Sequence, residues 1–167
     1  MMQPLLWLCN SNDERIQDGV TNTIKVNIDG GESYSNEVEY HIWNNIRGTT
    51  QREDMIGCYV TCYDTKDTGQ SMDMTADVDI LQEGWMEIKC TTYENKWYKV
   101  CGNELKCPIG ANNTNTIKGT PNNGNFNTDT ANRAVIIVRL HGHYDIENVP
   151  PGNKSFKIVI GGSYTNS

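Results

Sequence analysis

Two histidines one residue apart, His141 and His143, are the pair best spaced to chelate a metal, because side chains two apart on a strand project to the same face. Such a pair needs further ligands, and His41 is the only other histidine in the chain. The plainer reading places both on the polar outer face of a strand, and no metal site is expected. Asp73, Asp77 and Asp79 form an acidic stripe, but the loop spacing with its Gly and terminal Glu that holds calcium is missing. They read instead as the solvated face of a strand whose other face is Met72, Met74, Val78 and Ile80. No Gly-x-Ser-x-Gly elbow and no Gly-rich phosphate loop occurs, and nothing selects one carboxylate pair over another. The chain is therefore expected to be no enzyme and to use no cofactor.

The six cysteines, Cys9, Cys58, Cys62, Cys90, Cys101 and Cys107, form an even set without a CxxC pair, which favours disulfides over a zinc site. On one extended strand Cys58 and Cys62 would lie about 13 Å apart at ~3.3 Å per residue, beyond the ~7 Å reach of a bridge. They should have different partners. Cys101 and Cys107 flank Gly102–Lys106, a length that can fold back and close locally, so a Cys101–Cys107 bond is expected. The other four cysteines keep two possible pairings. Sequons at Asn112-Asn113-Thr114 and Asn153-Lys154-Ser155 make Asn112 and Asn153 candidate glycosylation sites and agree with a secretory route.

These residues need a scaffold, and composition limits its kind. With 167 residues the chain suits one domain over 1–167. Hydrophobic residues make up 37% and mean hydropathy is −0.61, so the core must be concentrated in a few strongly patterned segments. The net charge of −7, without a basic stripe, disfavours nucleic acid and anionic membrane surfaces as partners. No segment approaches the ~20 apolar residues of a membrane span. The N-terminal apolar run Leu5-Leu6-Trp7-Leu8 is too short for a signal peptide, so a secretion signal is expected to have been removed, replaced or to lie outside this sequence.

Period-two alternation recurs along the chain. It predicts strands at Ile24-Val26-Ile28, Val38-Tyr40-Ile42, Ile56-Cys58-Val60-Cys62, Met72 to Ile80, Met86-Ile88-Cys90, Trp97 to Val100, Ala134 to Tyr144 and Phe156-Ile158-Ile160. About eight short strands joined by Gly/Asn/Asp turns imply an all-β, two-sheet, immunoglobulin-like β-sandwich with disulfides. Ser11-Asn12-Asp13-Glu14 spells a capping box, good for one helical turn. Residues 111–133 are Asn/Thr/Gly-rich and are expected to form a long exposed loop. Four tryptophans and eight tyrosines against two phenylalanines suit a sandwich rim or the mouth of a ligand cavity.

Several local motifs resemble the ML lipid-recognition domains. Trp7-Leu8-Cys9-Asn10-Ser11 is similar to that family's aromatic-then-Cys opening, and Gly30-Gly31-Glu32-Ser33-Tyr34-Ser35 before the Val38 strand looks like its second hairpin. Cys101-x5-Cys107-Pro108-Ile109 has the spacing and Cys-Pro-apolar ending of its central disulfide loop. The stretch from Ala76 to Leu81 and from Trp85 to Cys90 resembles a strand pair ending in Cys. The family ties its first Cys to one in the last strand, whereas Phe156 to Ile160 has none, so Cys9 pairs elsewhere. About half the chain is covered.

The resemblance implies non-enzymatic binding of a sterol or acyl chain between two splayed sheets, in a secreted or lysosomal protein. The inward positions that would line the space are Val38, Tyr40, Ile42, Val60, Ile80, Trp85, Ile88, Val100, Ile109, Ile136, Val138, Leu140, Phe156 and Ile158. The rival expectation is an extracellular sandwich module of a cell-surface, filament or viral assembly that binds protein, glycan or a second copy of itself.

Overall fold

Extended segments with one dry face satisfy backbone and side chains together by pairing edge to edge and stacking face to face. The structure, a computed structural model, describes residues 2–17, 33–64, 79–142 and 156–165. Its strands are β1 (Leu6–Asn10), β2 (Ser33–Tyr34), β3 (Val38–Asn44), β4 (Met55–Asp64), β5 (Met86–Cys90), β6 (Trp97–Lys99), β7 (Cys107–Pro108), β8 (Thr116–Ile117), β9 (Arg133–Gly142) and β10 (Phe156–Tyr164). They form two antiparallel sheets: a larger one in the order β1-β3-β9-β5-β6, with β2 also on β9, and a smaller one in the order β10-β4-β7, with β8 also on β4. The chain is all-β in the manner of a sandwich. The strands expected at Ile24–Ile28 and Met72–Val78 lie outside the described residues, as do Asp73, Asp77, His143 and Asn153.

Alternation decides which side chains meet. From the larger sheet Tyr40, Ile42, Ile88, Ile136 and Val138 face Cys58, Val60, Cys62, Cys107 and Ile117 of the smaller in one buried cluster. At roughly 1.5–3 kcal/mol for each fully buried aliphatic side chain, this cluster is the main favourable term holding the sheets together. Leu140, Ile80, Trp85, Val100 and Ile109 are buried in it too, while Val38, Phe156 and Ile158 pack against it half-buried. Most positions expected to line a ligand space thus belong to the packed interior, and Val38, Phe156 and Ile158 are half-buried against it.

Part of the larger sheet's other face is covered as well. Cys9, Trp43 and Ile46 form a second buried cluster there, with Trp7 and Phe126 against it. The second face of β3 is therefore dry as well in part, with His41 2% exposed and Trp43 fully buried.

Two local expectations are corrected. Ile80 does not end a strand: Asp79–Gln82 form a single helical turn, α1. Gly84, with φ of 73°, and Trp85 close it by donating N–H bonds to Leu81 and Ile80, the paired bonds of a left-handed C-cap. Nor is Ser11–Glu14 helical. Asn10 instead accepts backbone bonds from Asn12 and Glu14 through its side chain, and Arg15 returns to pair with Cys9. An Asx turn has outcompeted the helical cap, as short polar side chains beside free amides permit.

Residues 111–133 are tied down by carboxamides that act as surrogate backbone. Asn44 donates to Glu53 and Ile117 carbonyls and accepts from Leu5 N–H. Asn45 donates to Thr50 and Gly119, Asn115 to Cys58 and Ile109, and Asn132 to Lys118 and Thr120. Irregular chain can lie against a core only where its polar groups find such partners.

Candidate functional site

Where β1 ends at Asn10, β3 continues as Val38 and Glu39 without a β1 partner, because the register stops at Asn10 opposite Tyr40. The turn that follows β1 swings past this uncovered stretch, and a pocket of about 530 Å³ opens between them. Ile16, Val38 and Tyr40 supply its apolar part, and Glu14, Arg15, Glu37 and Glu39 its charged part, with Asn10 and Ser11 at the turn. Tyr40 is a member of the inter-sheet core and Val38 and Ile16 pack against it, so the apolar wall is continuous with the interior. Val38 and Tyr40 are the expected lining residues found in this pocket. Its lining comes from the β1 turn and β3 of the larger sheet, not from both sheets.

The wall of this pocket is pinned by one buried histidine. His41 Nδ1 lies 2.6 Å from Asp13 Oδ1 and its Nε2 lies 2.8 Å from Glu39 Oε1. Both ring nitrogens of His41 are thus engaged by carboxylate oxygens. Trp43 Nε1 donates to the same Asp13 oxygen at 2.7 Å, and Asp13 itself takes a φ of 60° to reach them. Phe126 stacks on His41 with ring centroids 4.5 Å apart, and Arg133 lies 3.7 Å over Phe126. Burial lowers the pKa of the Arg133 guanidinium, opposed by Asp13 and Glu39. Two loops far apart in sequence thus meet on one side chain. Of its partners only Glu39 is local to β3, and the others come from positions 13 and 126.

His141 has a different fate. It stacks on Tyr34 at 4.2 Å between centroids, and its Nδ1 lies 3.3 Å from Glu87 Oε2. Arg139 donates to Glu87 at 2.8 Å and lies over both Tyr34, at 4.4 Å, and Trp97, at 3.7 Å. This row of Tyr34, Arg139 and Trp97 crosses the outer face of the larger sheet, with Tyr34 53% exposed.

All six cysteines are buried thiols in the structure. Cys58 and Cys62 share the inward face of β4, as the strand argument required. Burial is the first cause that raises their pKa values, to about 11 for Cys58, while Cys9 on the opposite face of the larger sheet is raised to about 11 by burial and then by Asp13. Asn112 is exposed at the tip of a tight turn, with φ of 50°. No helix among the described residues is long and apolar enough to cross a membrane.

No family model, no curated protein and no solved structure matches this chain.

Proposed function

We infer that this chain is a non-catalytic binding domain for a small amphiphile, an acyl chain or a sterol, taken up at the pocket beside β3. One observation carries the reading: the apolar residues Ile16, Val38 and Tyr40, continuous with the core, line one pocket together with Glu14, Arg15, Glu37 and Glu39. A pocket of about 530 Å³ is of the size that takes small organic ligands, and an apolar body with a polar head matches its division. An immunoglobulin-like strand arrangement, secretion into an oxidising compartment, disulfides and glycosylation at Asn112 and Asn153 belong to the same reading, as does the resemblance to ML domains. Native mass spectrometry of the purified protein tests it. Co-purifying lipid, released when the protein is denatured, is the expected result, and a protein that stays at its apo mass through incubation with fatty acid and sterol contradicts it.

A second reading is favoured by the Tyr34–Arg139–Trp97 row, since Tyr, Trp and Arg are the residues that dominate binding surfaces. On that reading the outer face of the larger sheet contacts protein or glycan. Subunit assemblies in the same native spectra, lost in a Tyr34→Ala variant, would favour it over the carrier.

A further inference from the structure

The geometry points to Cys62 and Cys101 as a disulfide pair, in place of the bond that spacing alone suggests between Cys101 and Cys107. It rests on the reading of the chain as one that matures in an oxidising compartment, and names the site at which oxidation acts.

The backbone sorts the cysteines into three neighbourhoods. Gly102 N–H donates to the Cys62 carbonyl at 2.9 Å, and the hydroxyl of the preceding Thr61 donates to the carbonyls of Gly102, at 2.7 Å, and Leu105, at 3.1 Å. The segment that begins at Cys101 is thereby clamped along β4 at Cys62. The 101–105 turn is closed by its own backbone, with Cys101 and Leu105 exchanging N–H bonds at 3.0 and 3.2 Å, and does not need Cys107. Cys107 instead stands in register with Val60 on β4, and Ile109 N–H donates to the Cys58 carbonyl at 3.0 Å. Cys90 approaches this second neighbourhood through Gly110, whose carbonyl lies 3.7 Å from its Sγ. Cys9 sits alone with Trp43 and Ile46 on the far face of the larger sheet.

The step is a thiol–disulfide exchange with oxidised glutathione. One cysteine, as thiolate, attacks a glutathione sulfur and releases one glutathione thiolate. The second then attacks the mixed disulfide and releases the other. Two S–H bonds are lost and one S–S bond forms, while two electrons and two protons pass to glutathione.

Disulfide mapping of the full chain tests the pairing. The protein is incubated with oxidised glutathione, blocked with N-ethylmaleimide under denaturing conditions without reductant, digested and analysed by mass spectrometry. The expected spectrum contains a Cys62–Cys101 linked peptide that disappears on reduction, with Cys9 carrying the maleimide. Cys101 linked to Cys107 overturns the pairing and leaves the oxidising-compartment reading standing, and maleimide on all six cysteines overturns both. A Cys107→Ser variant gives a second measurement: the Cys62–Cys101 peptide persists if the pairing is right and vanishes if Cys101 needs Cys107.

Discussion

At the scale of single residues, His41 and the buried asparagines decide whether loops can lie on dry surface. Replacing His41 by Ala removes the ring to which the carboxylates of Asp13 and Glu39 are both bonded. Hydrogen bonds to charged groups contribute roughly 1.5–3 kcal/mol each, and Glu39 is partly exposed, so a loss of about 2–3 kcal/mol is expected. Urea denaturation measures it, and an unchanged midpoint would show that the histidine pins nothing. The thiols give a pH prediction. Burial raises Cys9 and Cys58 to about 11 and Cys107 to about 12, whereas an unfolded thiol ionises near 8.5. Between those values the unfolded chain sheds protons that the folded chain keeps, so stability falls as pH rises. The reduced protein should lose thermal stability from about pH 8.5 to pH 11, and the oxidised protein less, since fewer thiols remain to titrate. A flat profile for reduced protein contradicts this. Sequence showed the cysteines' shared inward face on β4, but it could not show His41's role. Asp13 and Phe126 reach it from outside any local pattern.

Among the elements, the long alternating strands were the legible part. β3, β4, β5, β9 and β10 follow the period-two pattern within a few residues at each end, because burial of one face dictates both pattern and strand. Short pieces were not legible. β2, β7 and β8 have two residues each and are strands only because β9 and β4 offer them hydrogen bonds. β1 follows Pro4 with a continuous apolar run, and α1 hides in a segment whose alternation resembles a strand, its one local signal being Gly84. Two glycines, Gly110 in a loop and Gly161 within β10, allow a comparison. A Cβ on Gly110 would stand 1.7 Å from the Thr114 carbonyl oxygen, which is backbone, whereas one on Gly161 would meet the Tyr59 ring at 2.3 Å. A ring can swing away and a tight turn cannot. Gly110→Ala should therefore cost about 2–4 kcal/mol and Gly161→Ala about 1 kcal/mol, read from thermal midpoints. Equal costs would mean that the 111–115 turn opens freely.

For the whole molecule, two layers and one shared core were implied by the count and spacing of dry faces, whereas the place of the pocket was not. Inward positions looked like a ligand lining, yet they close on one another, and the opening lies at the end of β3 where the β1 pairing stops. A Cys62–Cys101 bond would act on this same scale. Closing a loop of roughly 40 residues stabilises by about 4 kcal/mol in the chain-entropy account, so reduction should lower the thermal midpoint of oxidised protein by about 10 °C. The most direct test of the account is saturable binding of a fluorescent acyl probe to the wild-type chain and to Val38→Trp, which places an indole in the pocket. Wild-type binding that weakens at least tenfold in a variant of unchanged thermal midpoint is the predicted result. Equal binding by the two proteins, or none by the wild type, would contradict it.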